Sequence, residues 1–171
     1  NEEKYMDSRF VKQLSKETQE LIHEHGIRNS HLTSIAPTGS ISLAADNVSS
    51  GIEPVFAHEF ERTIKVEDGD RKVTVQDYGL RELGVRGRTA DECTVPEHLD
   101  VLVAAQKWVD SAVSKTLNVG DHVTWEEFKG IYIEAWKRGC KGCTTFRKAG
   151  KRYGILNIVA PKDTESEACY I

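Results

Sequence analysis

The stretch Ala36-Pro-Thr-Gly-Ser-Ile-Ser42 decides how this chain is interpreted. It follows a short apolar run, residues 31–36, that predicts a strand, and it leads into residues 41–46, which predict the first turns of a helix. The first N–H groups of a helix have no partner within it, so this arrangement can hold an anion such as a phosphate or diphosphate. No lysine follows Gly39, which excludes the P-loop. An ordinary capped turn that binds nothing is the alternative.

The composition limits the class of protein. The 171 residues suit one domain, and 39% hydrophobic with 29% charged residues is typical of a soluble globular protein. A net charge of −4 gives no sign of the basic face that binding to nucleic acid or an anionic membrane requires. No apolar run approaches the roughly 20 residues of a membrane span, and the N-terminus lacks a signal pattern. We therefore predict a cytoplasmic protein whose partners include neither nucleic acid nor a membrane.

The four cysteines are too few and too scattered for a secreted disulfide scaffold. Cys140-Lys-Gly-Cys143 has the spacing of a redox or metal-binding pair. A zinc site needs further good ligands, and the sequence contains no second pair. We expect structural thiols here and no metal site.

Hydrophobic periodicity predicts alternating helices and strands. The predicted elements are helices over 7–25, 77–83, 96–113 and 124–138, strands over 31–36, 114–119 and 141–146, and a hairpin over 55–75. The strand–helix–strand order favours an α/β fold of parallel strands with helical crossovers. Tyr132 and Trp136 are expected to pack inward from their helix. Glu53 is a lone carboxylate, for which a structural hydrogen bond is favoured over a role as a general acid or base. Lys115 is a polar interruption of its predicted strand.

Four blocks of sequence carry a family resemblance. They are Gly26-Ile-Arg-Asn-Ser-His-Leu-Thr-Ser-Ile-Ala-Pro-Thr-Gly-Ser-Ile-Ser-Leu43, Ser49-Ser-Gly-Ile-Glu-Pro-Val-Phe56, Asp110-Ser-Ala-Val-Ser-Lys-Thr-Leu-Asn118 and Ala135-Trp-Lys-Arg-Gly-Cys-Lys-Gly-Cys-Thr-Thr-Phe-Arg147. In this order they resemble the catalytic subunit of ribonucleotide reductase. The residues of these blocks are most similar to those of the adenosylcobalamin-dependent class II enzymes, and the resemblance covers most of the chain.

The resemblance implies a fold. Residues 1–147 would form the C-terminal portion of a ten-stranded α/β barrel, within the catalytic domain, with a β-hairpin insertion. Residues 148–171 are expected to form a polar tail or linker. We expect the chain to be a piece of a longer protein or one half of a split polypeptide.

The resemblance also implies a function, the thiyl-radical conversion of ribonucleotides to deoxyribonucleotides for DNA replication. Implied partners are a ribonucleoside di- or triphosphate, the remainder of the reductase polypeptide and a thiol reductant such as thioredoxin. Adenosylcobalamin would generate the radical, bound mainly by parts outside this chain. Parallel α/β barrels bind ligands at the C-terminal ends of their strands. The residues that would bind the substrate phosphates are Ala36, Pro37, Thr38, Gly39, Ser40 and Ile41.

The sequence contains no catalytic residue that the resemblance can transfer. The family's Asn-x-Cys-x-Glu loop, which carries the radical cysteine, is absent, so the isolated chain is expected to be inactive. Cys143-Thr-Thr-Phe-Arg147 lacks the tyrosine pair of the diiron class I enzymes, which favours the cobalamin class. A diiron reductase and a non-catalytic phosphate-binding or protein-interaction module remain the alternatives.

Overall fold

The computed structural model of the chain describes residues 2–147 and the backbone of residues 156–158. The helices are α1 (Glu2–Met6), α2 (Lys16–His25), α3 (Gly39–Ala44), α4 (Tyr78–Leu83), α5 (Val95–Trp108) and α6 (Trp125–Lys137). The strands are β1 (Glu59–Val66), β2 (Gly69–Gln76), β3 (Thr116–Val119), β4 (Thr144–Arg147) and β5 (Leu156–Ile158). Apart from β5, which pairs antiparallel with β1, the predicted tail lies outside the described residues.

The predicted α/β arrangement is confirmed around β3 and β4. These strands pair in parallel, with Leu117 opposite Thr145, and α6 connects them. A parallel bridge between Ile35 and Val113 adds one further contact of the same kind. Between residues 2 and 147 no closed barrel forms, so the ten-stranded barrel stays a prediction.

The hydrophobic core is built on α5, β3 and α6. Its buried members are Leu99, Leu102, Val113, Leu117, Ala135 and Cys140. Cys143 packs against this cluster, and burial raises the pKa of both thiols, which keeps them protonated. Both are free, and they pack as the structural thiols that the sequence predicts.

The strand predicted over residues 31–36 is wrong for most of its length, because only Ile35 forms a bridge. The N–H groups of Leu32 and Thr33 donate to the Asp110 carboxylate, at 2.6 and 2.7 Å. A side chain thus occupies the donors that a neighbouring strand would need.

Two predicted helices are too long. α5 ends at Trp108 rather than residue 113, because Gln106 donates its side-chain amide to the carbonyls of Val109 and Ser111. The helix predicted over residues 7–25 is broken, and its α-helical part, α2, begins at residue 16. Ser15 caps α2 by accepting the N–H of Thr18, and a capping residue does not itself continue a helix.

The hairpin is confirmed, with β1 and β2 antiparallel and Val66 opposite Gly69 across a two-residue turn. The capping box that the sequence Thr124-Trp-Glu-Glu127 indicates also forms at the start of α6. The inward packing predicted for two aromatic residues of α6 is wrong, because Tyr132 is 40% and Trp136 is 73% exposed. No helix described between residues 2 and 147 is long and apolar enough to span a bilayer.

Candidate functional site

The predicted phosphate turn has an unusual backbone at its centre. Thr38 adopts φ 50° and ψ 25°, the left-handed region that few residues other than glycine enter. The first intrahelical hydrogen bond of α3 runs from the N–H of Ser42 to the carbonyl of Thr38, at 2.8 Å. The N–H groups of Gly39, Ser40 and Ile41 therefore precede the helical ladder and are open to an acceptor. A Cβ built on Gly39 meets nothing within 4 Å, which leaves room for a ligand.

A second loop, residues 48–53, braces this turn from behind. The N–H of Gly51 donates to Thr38 Oγ1 at 2.7 Å. Gly51 itself has φ +56°, and a Cβ placed on it would lie 3.0 Å from the carbonyl oxygen of Ala36. Both the backbone angle and the close approach require glycine at this position. The hydroxyl of Ser42 adds a further link by donating to the carbonyl of Val48.

A cleft of about 300 Å³ opens beside the turn, between this loop, the base of the hairpin, β3 and β4. Its apolar lining comes from Val55, Phe56, Ala57, Phe60 and Phe146, and its polar lining includes Ser49, Glu53, Thr116 and Asn118. Ser42 also lines the cleft, whereas the predicted site residues 36–41 do not. The turn therefore lies at the rim of the cleft and is largely exposed.

Asp110 fixes the chain that enters the turn. The residue is 6% exposed, and its carboxylate accepts the N–H groups of Leu32 and Thr33 together with the Thr33 hydroxyl. Burial by itself would raise the pKa of Asp110, but these donors outweigh burial and hold the pKa below its ordinary value. Asp110 is therefore an ionised anchor for the approach to the turn.

Lys115 and Glu53 form an ion pair behind the cleft, with 2.5 Å between Nζ and Oε2. The Lys115 side chain is 1% exposed and the Glu53 side chain 23%. His98 joins them, with its Nδ1 2.9 Å from Lys115 Nζ. Glu53 thus makes the kind of structural hydrogen bond that the sequence predicts, with a partner that lies 62 residues away in sequence.

Sequence reasoning missed Lys115, His98 and Asp110 as parts of this site. One signal was available for Lys115, since it falls in step with the apolar residues 113, 117 and 119 at every second position, and all four are buried. That period places Lys115 on the inner face, where a lysine requires a partner. Among the described residues, no group of three or more His, Cys, Asp or Glu is placed to hold a metal ion.

Comparison with known proteins identifies the family. A family model described as the barrel domain of ribonucleotide reductase matches residues 3–95 and 86–146. The vitamin B12-dependent ribonucleoside-diphosphate reductase of Mycobacterium tuberculosis is 34% identical over 168 residues, covering 82% of this chain and 24% of that protein. The protein of the same name from Thermoplasma acidophilum is 32% identical over 159 residues, covering 76% of this chain and 20% of that protein. The vitamin B12-dependent ribonucleotide reductase of Streptomyces coelicolor is 27% identical over 179 residues, covering 83% and 18%.

The match with the Mycobacterium tuberculosis protein covers 24% of that protein, so the chain spans about a quarter of its length. The family match nonetheless extends over most of the described residues. The blocks of sequence that carry the resemblance lie within the matched ranges, apart from the last residue of the fourth block. The chain belongs to the ribonucleotide reductase family and represents part of its barrel domain.

Proposed function

We propose that this chain works as part of an adenosylcobalamin-dependent ribonucleotide reductase, which converts ribonucleotides to deoxyribonucleotides by thiyl-radical chemistry. The observation that carries the proposal is the family match over residues 3–146 together with relatives named vitamin B12-dependent reductases. Those names also favour the cobalamin class over the diiron class. A cytoplasmic location and a thiol reductant such as thioredoxin stay predictions.

Within this reductase, residues Ala36–Ile41 bind the phosphates of a ribonucleoside di- or triphosphate. Three N–H groups at the start of α3 are open to an acceptor, and the space above Gly39 is empty. The Thr38 hydroxyl accepts from Gly51, so its own hydrogen remains available for a phosphate oxygen. The exposed Ser40 offers a second hydroxyl. Phosphate binding at the rim would position the rest of the nucleotide over the cleft.

The radical chemistry depends on residues that this sequence does not contain, because no Asn-x-Cys-x-Glu segment is present. Adenosylcobalamin supplies the radical when it is bound. The cleft has a volume of about 300 Å³, at the lower end of the range for drug-sized ligands. It is therefore too small for a corrin with its nucleotide tail. We expect the remainder of the reductase to hold the cofactor, while this chain holds the substrate phosphates.

Gly39→Val tests the phosphate assignment. Gly39 lies in α3, outside the positive-φ region, and has open space around it, so the variant should fold normally while its side chain blocks access to the N–H groups. Gly130→Val is the matched control, because a Cβ at this position in α6 also meets nothing within 4 Å. We expect Gly39→Val, in the reductase assembled with its remaining polypeptide, to lose at least tenfold in affinity for a ribonucleoside diphosphate.

The control should bind as the unmodified assembly does. Equal affinity of the two variants would show that the phosphates bind elsewhere. If Gly39→Val loses binding but the unmodified assembly shows no reductase activity, the alternative of a non-catalytic phosphate-binding module is favoured.

A further inference from the structure

Lys115 is the largest side chain that is fully buried in the described chain. A buried ammonium is costly unless each of its hydrogens finds an acceptor. Nζ lies 2.5 Å from Glu53 Oε2, 2.6 Å from the carbonyl oxygen of Thr116 and 2.9 Å from His98 Nδ1. Three acceptors thus meet three donors, and the cation is completely satisfied.

His98 is held in the form that this cluster requires. Its Nε2 lies 2.9 Å from the carbonyl oxygen of Ala90, which can only accept, so Nε2 carries the hydrogen. The lone pair of Nδ1 then faces Lys115. Burial is the main cause that lowers the pKa of His98, the Ala90 carbonyl opposes it, and the Lys115 cation lowers the pKa further. His98 therefore remains a neutral acceptor.

Glu53 connects Lys115 and His98 to the loop of residues 48–53, behind the turn. Its second carboxylate oxygen accepts the N–H of Thr116 at 2.5 Å, so Lys115 and the first residue of β3 hold the two oxygens. The Glu53 N–H donates to the carbonyl of Ser50, and the Ser49 hydroxyl donates to the carbonyl of Glu53. The Glu53 backbone is thereby tied to the loop residues next to Gly51.

The path ends at the phosphate turn. Gly51 donates to Thr38 Oγ1, the hydroxyl that the proposed function places against a phosphate oxygen. The connection from Lys115 to Thr38 therefore consists of three hydrogen bonds, joined covalently through Glu53 and through the peptide unit between Ser50 and Gly51. Contiguous networks of this kind can carry energetic coupling between positions that do not touch.

We propose that Lys115 is a positioning residue for phosphate binding, which acts through Glu53 and the loop of residues 48–53 on Thr38. This inference rests on the proposed function. A buried ion pair contributes little net stability compared with apolar residues of similar volume, because desolvation offsets its attraction. The specific contribution of this pair is orientation, since each charge is held at a fixed place between β3 and the loop.

The decisive variant removes both charges, Glu53→Gln with Lys115→Met, so that no buried charge is left unpaired. The matched control is Glu126→Gln with Lys129→Met, the same change in an exposed ion pair of α6 with 2.7 Å between its atoms. Both are made in the complete reductase that contains this chain. The measured quantity is the ratio of dissociation constants for a ribonucleoside and its diphosphate.

We expect the double variant to lose at least tenfold of this preference for the diphosphate, whereas the control keeps it. A merely structural role would weaken the two ligands in parallel and leave the ratio unchanged. An unchanged ratio in a folded double variant therefore contradicts the role of Lys115. If the unmodified reductase shows no preference for the diphosphate, the proposed phosphate turn is wrong, and the role of Lys115 is overturned with it.

Glu53→Asp provides the second variant in case the double variant does not assemble. It keeps both charges buried and paired but shortens the link to the loop by one methylene. The preference for the diphosphate should fall in the same direction by a smaller factor. A preference equal to that of the unmodified reductase would contradict the proposal.

Discussion

The wall of the cleft, taken with its rim and the chain that enters it as residues 32–54, and the packed unit of residues 95–147 owe their shapes to different interactions. The packed unit has regular elements whose apolar side chains form the core. The wall has one short helix, and three of its residues other than glycine, Thr38, Asp46 and Asn47, have positive φ. Its shape is imposed by polar groups of the packed unit, chiefly Asp110 and Lys115.

This difference separates stability from geometry. Side chains in the core are expected to determine whether the chain folds. Buried polar groups at its edge are expected to determine how the wall is shaped, at a smaller cost in free energy of unfolding. Substitutions in the two regions should therefore give different patterns of effects.

The largest expected effect comes from the core. Leu117→Ala removes a side chain that is 0% exposed, and it should lower the free energy of unfolding by about 2–5 kcal/mol because it leaves a cavity. Denaturant unfolding of the chain measures the change. Leu83→Ala is the control, since Leu83 is 68% exposed and should cost no more than about 0.5 kcal/mol. A cost below about 1 kcal/mol at Leu117 would mean that this core does not determine stability.

Asp110→Asn should have an intermediate effect, on the wall more than on the core. The amide cannot accept all three hydrogen bonds from Leu32 and Thr33, and bonds to a charged acceptor are each worth about 1.5–3 kcal/mol. Amide hydrogen exchange should accelerate at residues 32 and 33 while the core amides of α5 stay protected. The control is Asp100→Asn, at an exposed residue of α5, which should leave exchange at residues 32 and 33 unchanged.

The stability of the fold at acidic pH should also depend on Asp110. A pKa below the ordinary value of 3.8 means that the ionised form stabilises the fold above that pH. This contribution is lost as the pH falls through the lower pKa of the folded state. Urea midpoints measured between pH 6 and pH 2.5 should therefore fall less steeply for Asp110→Asn than for the unmodified chain, and equal slopes would contradict the anchor.

The smallest expected effect belongs to His98. Its pKa lies below the ordinary value of 6.5, mainly because of burial, so the unfolded chain binds a proton more readily than the folded one. Stability is then fully present above pH 6.5 and declines as the pH falls from there through the folded pKa. His98→Gln should remove this decline, whereas His23→Gln, at a side chain that is 77% exposed, should retain it. The slope of urea midpoint against pH between 7 and 5 is the measurement.

The sequence predicted the regular regions well, because their signals are local. The capping box at Thr124, the antiparallel hairpin and the parallel arrangement of β3 and β4 follow from residues close together in the chain. Its error at residues 31–34 arises because a distant polar group overrides a local pattern. Asp110 prevents residues 31–34 from forming a strand, although its partners lie 77 and 78 residues away.

The candidate site was predictable only in part, for the same reason. The turn at residues 36–41 and the start of α3 are visible in the sequence. The contacts that brace the turn are not visible, because Gly51 meets Thr38 only after the second loop folds back. Tyr132 and Trp136 fit an apolar helical pattern, and nothing local distinguishes their exposed positions from buried ones.

The measurement that tests the central claim most directly is deoxyribonucleotide production by this chain combined with the remaining reductase polypeptide. The assay contains a ribonucleoside diphosphate, adenosylcobalamin and a dithiol, without a diiron subunit. We expect turnover that depends on adenosylcobalamin, that Gly39→Val abolishes and that Gly130→Val leaves intact. Turnover only after a diiron subunit is added, or turnover that Gly39→Val does not change, would contradict the account.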